Sequence, residues 1–225
     1  MLGTIVNSIV IVIASLAGIL VGRRLSADMR RTIMQALGLA VVLIGLQMAL
    51  KTQNPLVVIA SLVLGSVFGE LLDIEGVLSR MGQRLERNAE GPIARAFVSS
   101  TLIFCVGSMA IVGAIQDGLR GDPTLLYTKA MLDGVVALTF ASVMGIGVAF
   151  SALSVLIYQG AITLLAGYLG YFLMEEAVTE LEATGGLLIA GIGLTLLEIK
   201  DIKVGNMLPA LFVAPVLVLL TALRG

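Results

Sequence analysis

The chain has 225 residues, 58% of them hydrophobic and only 13% charged, with a mean hydropathy of +1.06 and a net charge of −1. Soluble domains carry about a quarter charged residues, so this composition excludes one, and the near-zero charge gives nucleic acid no basic surface to bind. With no histidine and a single cysteine, Cys105, the chain has no Cys/His zinc site and no internal disulfide, and no metal or other cofactor is expected.

Residues 3–22 (GTIVNSIVIVIASLAGILVG) carry no charge, and a run of about 20 apolar residues crosses a hydrocarbon core roughly 30 Å thick. No basic segment precedes this run and no small-residue cleavage site follows it, so it reads as a retained first span rather than a signal peptide. Further spans are predicted near 33–50, 55–72, 96–116, 130–149, 152–173, 184–199 and 204–223. Residues 134–174 are uncharged but too long for one helix, which places a turn near Phe150–Ser151. Spans four and seven are glycine-rich and read as broken or re-entrant, so eight spans are expected and seven are the alternative. The fold class is all-α: a polytopic transmembrane helix bundle forming one domain over residues 1–225, with helices broken at glycine and proline.

Basic residues set the orientation. With the N-terminus outside, the inner linkers hold ten Lys or Arg (Arg23, Arg24, Arg30, Arg31, Arg80, Arg84, Arg87, Arg95, Lys200, Lys203) and the outer ones four. Cytoplasmic loops are the arginine- and lysine-rich ones. The outer hinge between spans six and seven is acidic, through Glu175, Glu176, Glu180 and Glu182. Within residues 74–90, Ile74, Val77, Leu78, Met81 and Leu85 recur at helical spacing beside Arg80, Arg84 and Arg87. This predicts an amphipathic helix on the cytoplasmic surface, or an ordinary solvated linker helix.

The chain also resembles itself. Gly38, Leu39, Ile44, Gly45 and Leu46 match Gly186, Leu187, Ile192, Gly193 and Leu194 at a constant offset of 148 residues. Ala17–Gly22 resembles Ala166–Tyr171 at an offset of 149. A repeat of residues 1–72 in 152–223 follows, flanking a central pair of spans at 96–149. With eight spans the two copies are inverted, an arrangement that in secondary transporters places the site near the midplane between the repeats.

Acidic groups, Glu70, Asp117, Asp133 and Glu198 among them, fall near predicted span ends, with none at mid-bilayer, which argues against a pump built on a central carboxylate. Asp133 lies one turn after Lys129, and with Gln116 and Asp117 it is placed at an outer mouth. The deeper polar groups are neutral: Asn7, Gln47, Ser108, Gln159 and Asn206. An amide in hydrocarbon needs a partner, a cavity or a ligand. Gly107, Gly113, Gly145, Gly147, Gly191 and Gly193 are placed as helix breaks that free backbone groups inside the bundle, with close helix packing as the competing role.

Residues 104–133 (FCVGSMAIVGAIQDGLRGDPTLLYTKAMLD), with Gly3–Asn7, Gly145–Val148 and Tyr158–Gly160, resemble the bacterial membrane family known as domain of unknown function 554 over nearly the whole chain. The resemblance implies a bacterial plasma-membrane protein of about this size, of a kind often labelled a transporter. It supplies no substrate or mechanism. The leading expectation is a secondary transporter or channel for a small ion or polar solute, not an enzyme, whose partners are the lipid bilayer and a homo-oligomer mate. The alternative is a non-transporting scaffold or sensor.

Overall fold

The protein is described by a computed structural model, which covers residues 1–77, 80, 93–168 and 175–222. Among the described residues the regular elements are helices: α1 (Leu2–Gly22), α2 (Ala27–Ala49), α3 (Pro55–Leu72), α4 (Ile93–Cys105), α5 (Ser108–Arg120), α6 (Thr124–Met144), α7 (Gly147–Leu164), α8 (Glu175–Leu196), α9 (Val204–Met207) and α10 (Ala210–Ala222). Seven segments are long and apolar enough to cross a membrane: α1, α2, α3, α6, α7, α8 and the α9–α10 run from Val204 to Thr221. The α4–α5 pair, bent by 60°, passes the same test when taken together and would be an eighth.

The two ends of α6 both differ from the sequence reading and shift the polar residues. Helix α6 starts at Thr124 rather than near residue 130. Pro123 ends the preceding loop, and the Asp122 carboxylate accepts the Thr124 amide at 3.0 Å and its hydroxyl at 2.6 Å, closing the first turn. The same helix ends at Gly145, whose φ of 78° suits glycine alone. The turn is therefore Gly145–Ile146, not Phe150–Ser151. Three of the glycines placed as breaks break nothing: Gly113 lies inside α5, and Gly191 and Gly193 lie inside an unbroken α8. That helix also absorbs Glu175, Glu176, Glu180 and Glu182, predicted as a hinge. Of the predicted 74–90 helix, residues 78, 79 and 81–90 lie outside the described residues.

The chain forms two compact units, one of Met1–Met34 with Ser79–Gly170, the other of Gln35–Leu78 with Tyr171–Gly225. In the first, α1 lies along α6. Gly3 faces Leu126, Gly18 faces the Leu138 carbonyl and Gly22 the Ser142 carbonyl, with no room for a Cβ at any of them. The positions rise together, so α1 and α6 run parallel. Helix α7 opposes α1, because Thr4 meets Thr163 and Asn7 meets Gln159. Beside α7 runs the bent pair: Ala96 abuts Gly147, Thr101 bonds Ser154 at 3.2 Å, and Gly118 abuts the Thr163 carbonyl. These contacts follow α7 from one end to the other. That course is the one an interrupted span would take, which would bring the candidate spans among the described residues to eight.

In the second unit α2 packs antiparallel to α8. A Cβ on Gly45 would stand 2.6 Å from the Gly186 carbonyl oxygen, and one on Gly186 would stand 2.6 Å from the Gly45 carbonyl oxygen. Gly38 and Gly193 meet in the same reciprocal way, at 3.3 and 2.9 Å. In lipid, helix association rests on such close van der Waals approach rather than on expelled water. Helix α3 is antiparallel to α9–α10, through Gly65 on Ala210 and Gly69 on the Asn206 carbonyl. Buried Glu180 closes the start of α3, accepting the Gln53 and Asn54 amides at 2.7 and 2.9 Å and the Thr52 hydroxyl at 2.6 Å. A carboxylate at a helix N-terminus also meets the positive end of its dipole.

Candidate functional site

Moving the start of α6 back to Thr124 makes Asp133 the tenth residue of a 21-residue helix. At 1.5 Å per residue it lies about halfway along the helix, not near its end as the sequence reading placed it. Lys129, one turn earlier, donates from Nζ to Asp133 Oδ2 at 2.5 Å, and both side chains are less than a tenth exposed. The same oxygen accepts Asn7 Nδ2 at 3.0 Å from α1. Asn7 Nδ2 also reaches Gln159 Oε1 on α7 at 3.4 Å. Three helices of the first unit thus meet around a chain of polar groups, Lys129–Asp133–Asn7–Gln159, in which Asn7 and Gln159 are fully buried.

The chain is incomplete. A side-by-side amide pair makes two reciprocal hydrogen bonds, whereas Asn7 and Gln159 make one. Asn7 Oδ1 and Gln159 Nε2 are buried without a partner. Leaving a buried polar atom unpaired costs about 1–3 kcal/mol, and such atoms call for a water or a ligand. Hydroxyls around the amides are satisfied along their own helices, Ser8 by the Thr4 carbonyl and Thr163 by the Gln159 carbonyl. The interruption between α4 and α5 lies at this depth. Counting back along the antiparallel α5–α6 hairpin from the Gly113–Leu126 contact brings Val106 level with Asp133. The charges of Lys129 and Asp133 also reach the buried Cys105.

The other candidates are dispersed. Asp117, near the end of α5, is buried but joins a different contact, accepting the Gly3 amide at 3.2 Å and the Met1 ammonium at 2.8 Å. It closes the start of α1 and does not bond Asp133. Gln116 and Ser108 are half-buried, and Ser108 opens α5 just after Gly107. Gly107 sits at the bend with nothing within 4 Å of where a Cβ would be. Gly147 packs on α4, while Gly193 serves α2–α8 packing rather than a break. Gln47 is exposed on α2, and Asn206 belongs to the second unit. There Asn206 accepts the Glu75 amide at 2.7 Å and donates to Glu70 at 2.5 Å, Lys203 pairs with Glu70 at 3.1 Å, and Glu75 accepts the Gly205 amide at 2.7 Å. Lys129, noted in the sequence as one turn before Asp133 but not counted among the binding candidates, joins the site. Its signal was a lysine four residues ahead of an aspartate inside an otherwise apolar run. Outside the spans, the Thr124 hydroxyl and amide hold the Asp122 carboxyl below the usual carboxylate range.

The profile of a family described as "Protein of unknown function (DUF554)" matches residues 2–219. The chain belongs to the DUF554 family. Two of its DUF554 relatives are the "Uncharacterized membrane protein YdfK" of Bacillus subtilis (strain 168) and the "Uncharacterized protein YqgA" of Escherichia coli (strain K12). Each is 32% identical over 222 residues, covering 97% of this chain and 96% of the relative for the first, and 95% and 94% for the second. No solved structure matches the chain. The helix lengths and the relative's description agree that this DUF554 chain is a membrane protein.

Proposed function

We propose that the protein is a secondary transporter or channel of the bacterial plasma membrane for a small ion or polar solute. The observation that carries this reading is the buried chain Lys129–Asp133–Asn7–Gln159, with Asp133 halfway along its helix and two atoms left unpartnered. Ionisable groups at membrane depth are expensive and mark solute or proton pathways. The interruption of a span at the same depth adds support, since irregular backbone inside a membrane is tolerated where protein or a cavity surrounds it.

The reading includes an inverted repeat, with α1–α3 the counterpart of α7–α10. Its support is that α1 opposes α7, α2 opposes α8 and α3 opposes α9–α10. Any antiparallel pair has a local two-fold axis. What the sequence adds is glycine at equivalent places, since the 148-residue offset carries the Gly45–Gly186 contact onto Gly193–Gly38. The Arg-rich linkers are cytoplasmic and the N-terminus outside. A homo-oligomer is part of the reading, because Gln47 is exposed on α2 beside Leu43, Leu46 and Leu50, and an amide on such a face is better satisfied by a second helix than by lipid.

The test is reconstitution into liposomes and flux under imposed gradients of sodium, potassium, protons, chloride and small uncharged solutes. Saturable flux, lost in the folded double variant Gln159→Leu/Asp133→Leu, is expected. Silence across the panel from folded protein would overturn the reading in favour of a scaffold or sensor.

A further inference from the structure

We infer that the ligand of this site is a small uncharged solute that both donates and accepts hydrogen bonds, such as an amide, urea or polyol, rather than a bare ion. This inference rests on the transport reading and names its substrate class.

The argument is the pairing of charge against charge and of orphan against orphan. Lys129 and Asp133 neutralise each other inside the protein, so the cluster carries no net charge. The Asp133 oxygen that accepts Lys129 also accepts the Asn7 nitrogen. That bond fixes which way the Asn7 amide points and leaves its oxygen as the free acceptor. Gln159 is fixed in turn, its oxygen taken by Asn7 and its nitrogen left as the free donor. One free acceptor and one free donor thus stand on amides already bonded to each other, a pairing that a small group able both to donate and to accept would match.

A bare cation would satisfy the Asn7 acceptor but not the Gln159 donor, and a bare anion the donor but not the acceptor. Among the described residues no group of three or more Cys, Asp or Glu gathers to hold a metal ion. An uncharged group with an N–H or O–H beside an oxygen satisfies both atoms at once, and a site built to hydrogen-bond a solute discriminates strongly against one that cannot reciprocate.

The experiment is stopped-flow light scattering on proteoliposomes holding the full chain, with gradients of urea, formamide and glycerol, beside fluorescence assays for sodium, potassium, chloride and protons on the same vesicles. Wild-type protein is expected to speed entry of at least one uncharged probe over empty liposomes and to leave ion flux at background. Gln159→Met and Asn7→Leu, each checked for folding by circular dichroism and gel filtration, are expected to cut that entry at least about tenfold. Ion flux without uncharged-solute flux would overturn the inference and leave the transport reading standing. Solute entry unchanged in both folded variants would overturn the site. Water permeation alone would mean that the orphan atoms hold a structural water, and would overturn it too. No flux of any probe would overturn the transport reading together with the inference. The comparison of probes on wild-type protein decides the substrate class even if neither variant folds.

Discussion

Asp133 accepts two donors from two helices, and its substitution separates structure from function. Asp133→Asn leaves Lys129 charged, buried and poorly paired. Removing one partner of a buried ion pair costs about 3–5 kcal/mol, so this variant is expected to unfold well below wild type on heating in detergent. Replacing both partners, Lys129→Met with Asp133→Leu, removes the charge altogether and is expected to restore most of that stability while leaving transport lost. A double variant no more stable than Asp133→Asn would show that the pair is not what sets the stability. The polar residues themselves were legible in the sequence: Asn7, Asp133 and Gln159 stand out because little else polar shares their apolar runs. Their meeting was not, because 126 residues separate Asn7 from Asp133 and 152 separate Asn7 from Gln159. Gln47 and Asn206 looked equivalent to Asn7 by type. What distinguishes them is the face of the helix in one case and the unit in the other, neither of which a single residue announces.

At the scale of elements, glycine plays two roles that look alike in sequence. Gly45 lets α2 lie against the α8 backbone, and a Cβ there has nowhere to go. Gly107 sits at the α4–α5 bend in open space, with an extended backbone that any residue can adopt. Gly45→Ala is therefore expected to destabilise by about 1–3 kcal/mol as an overpacked contact, whereas Gly107→Ala is expected to be neutral or to stabilise by up to about 1 kcal/mol. Thermal unfolding of the two variants in one detergent checks this, and equal effects would remove the distinction. The presence of the spans and the break at Gly107 were readable from hydropathy and glycine placement. The start of α6 was not. Thr124, Tyr127, Thr128 and Lys129 lower the apolar character of its first turns, and the ion pair that lets Lys129 lie buried there is not visible in hydropathy. The end of α6 was misjudged for the opposite reason: residues 134–174 are so uniformly apolar that hydropathy has no contrast, and the deciding feature is the positive φ of Gly145.

For the whole molecule, an eight-span path would place alternate loops on the same face of the membrane. With Cys105→Ala as background, single cysteines at Lys51 and Arg120 are expected to react with an impermeant thiol reagent from one side, and those at Arg24 and Lys200 from the other. Arg120 labelling together with Arg24 would turn α4–α5 into a re-entrant loop and reduce the count to seven. Each compact unit draws helices from both halves of the chain, so neither is a continuous stretch of sequence. A self-similarity search sees the halves, while the three-dimensional units interleave them.

The parallel packing of α1 on α6 has a consequence for biosynthesis. Helix α1 is made first, yet the acceptor for Asn7 is 126 residues further along the chain. At about 5–20 residues per second, ribosomes need on the order of ten seconds to deliver it. Through that interval Thr4 and Asn7 have no tertiary partner. The nascent first helix must be shielded at the insertion machinery, or held near the lipid–water boundary, until α6 emerges to receive it.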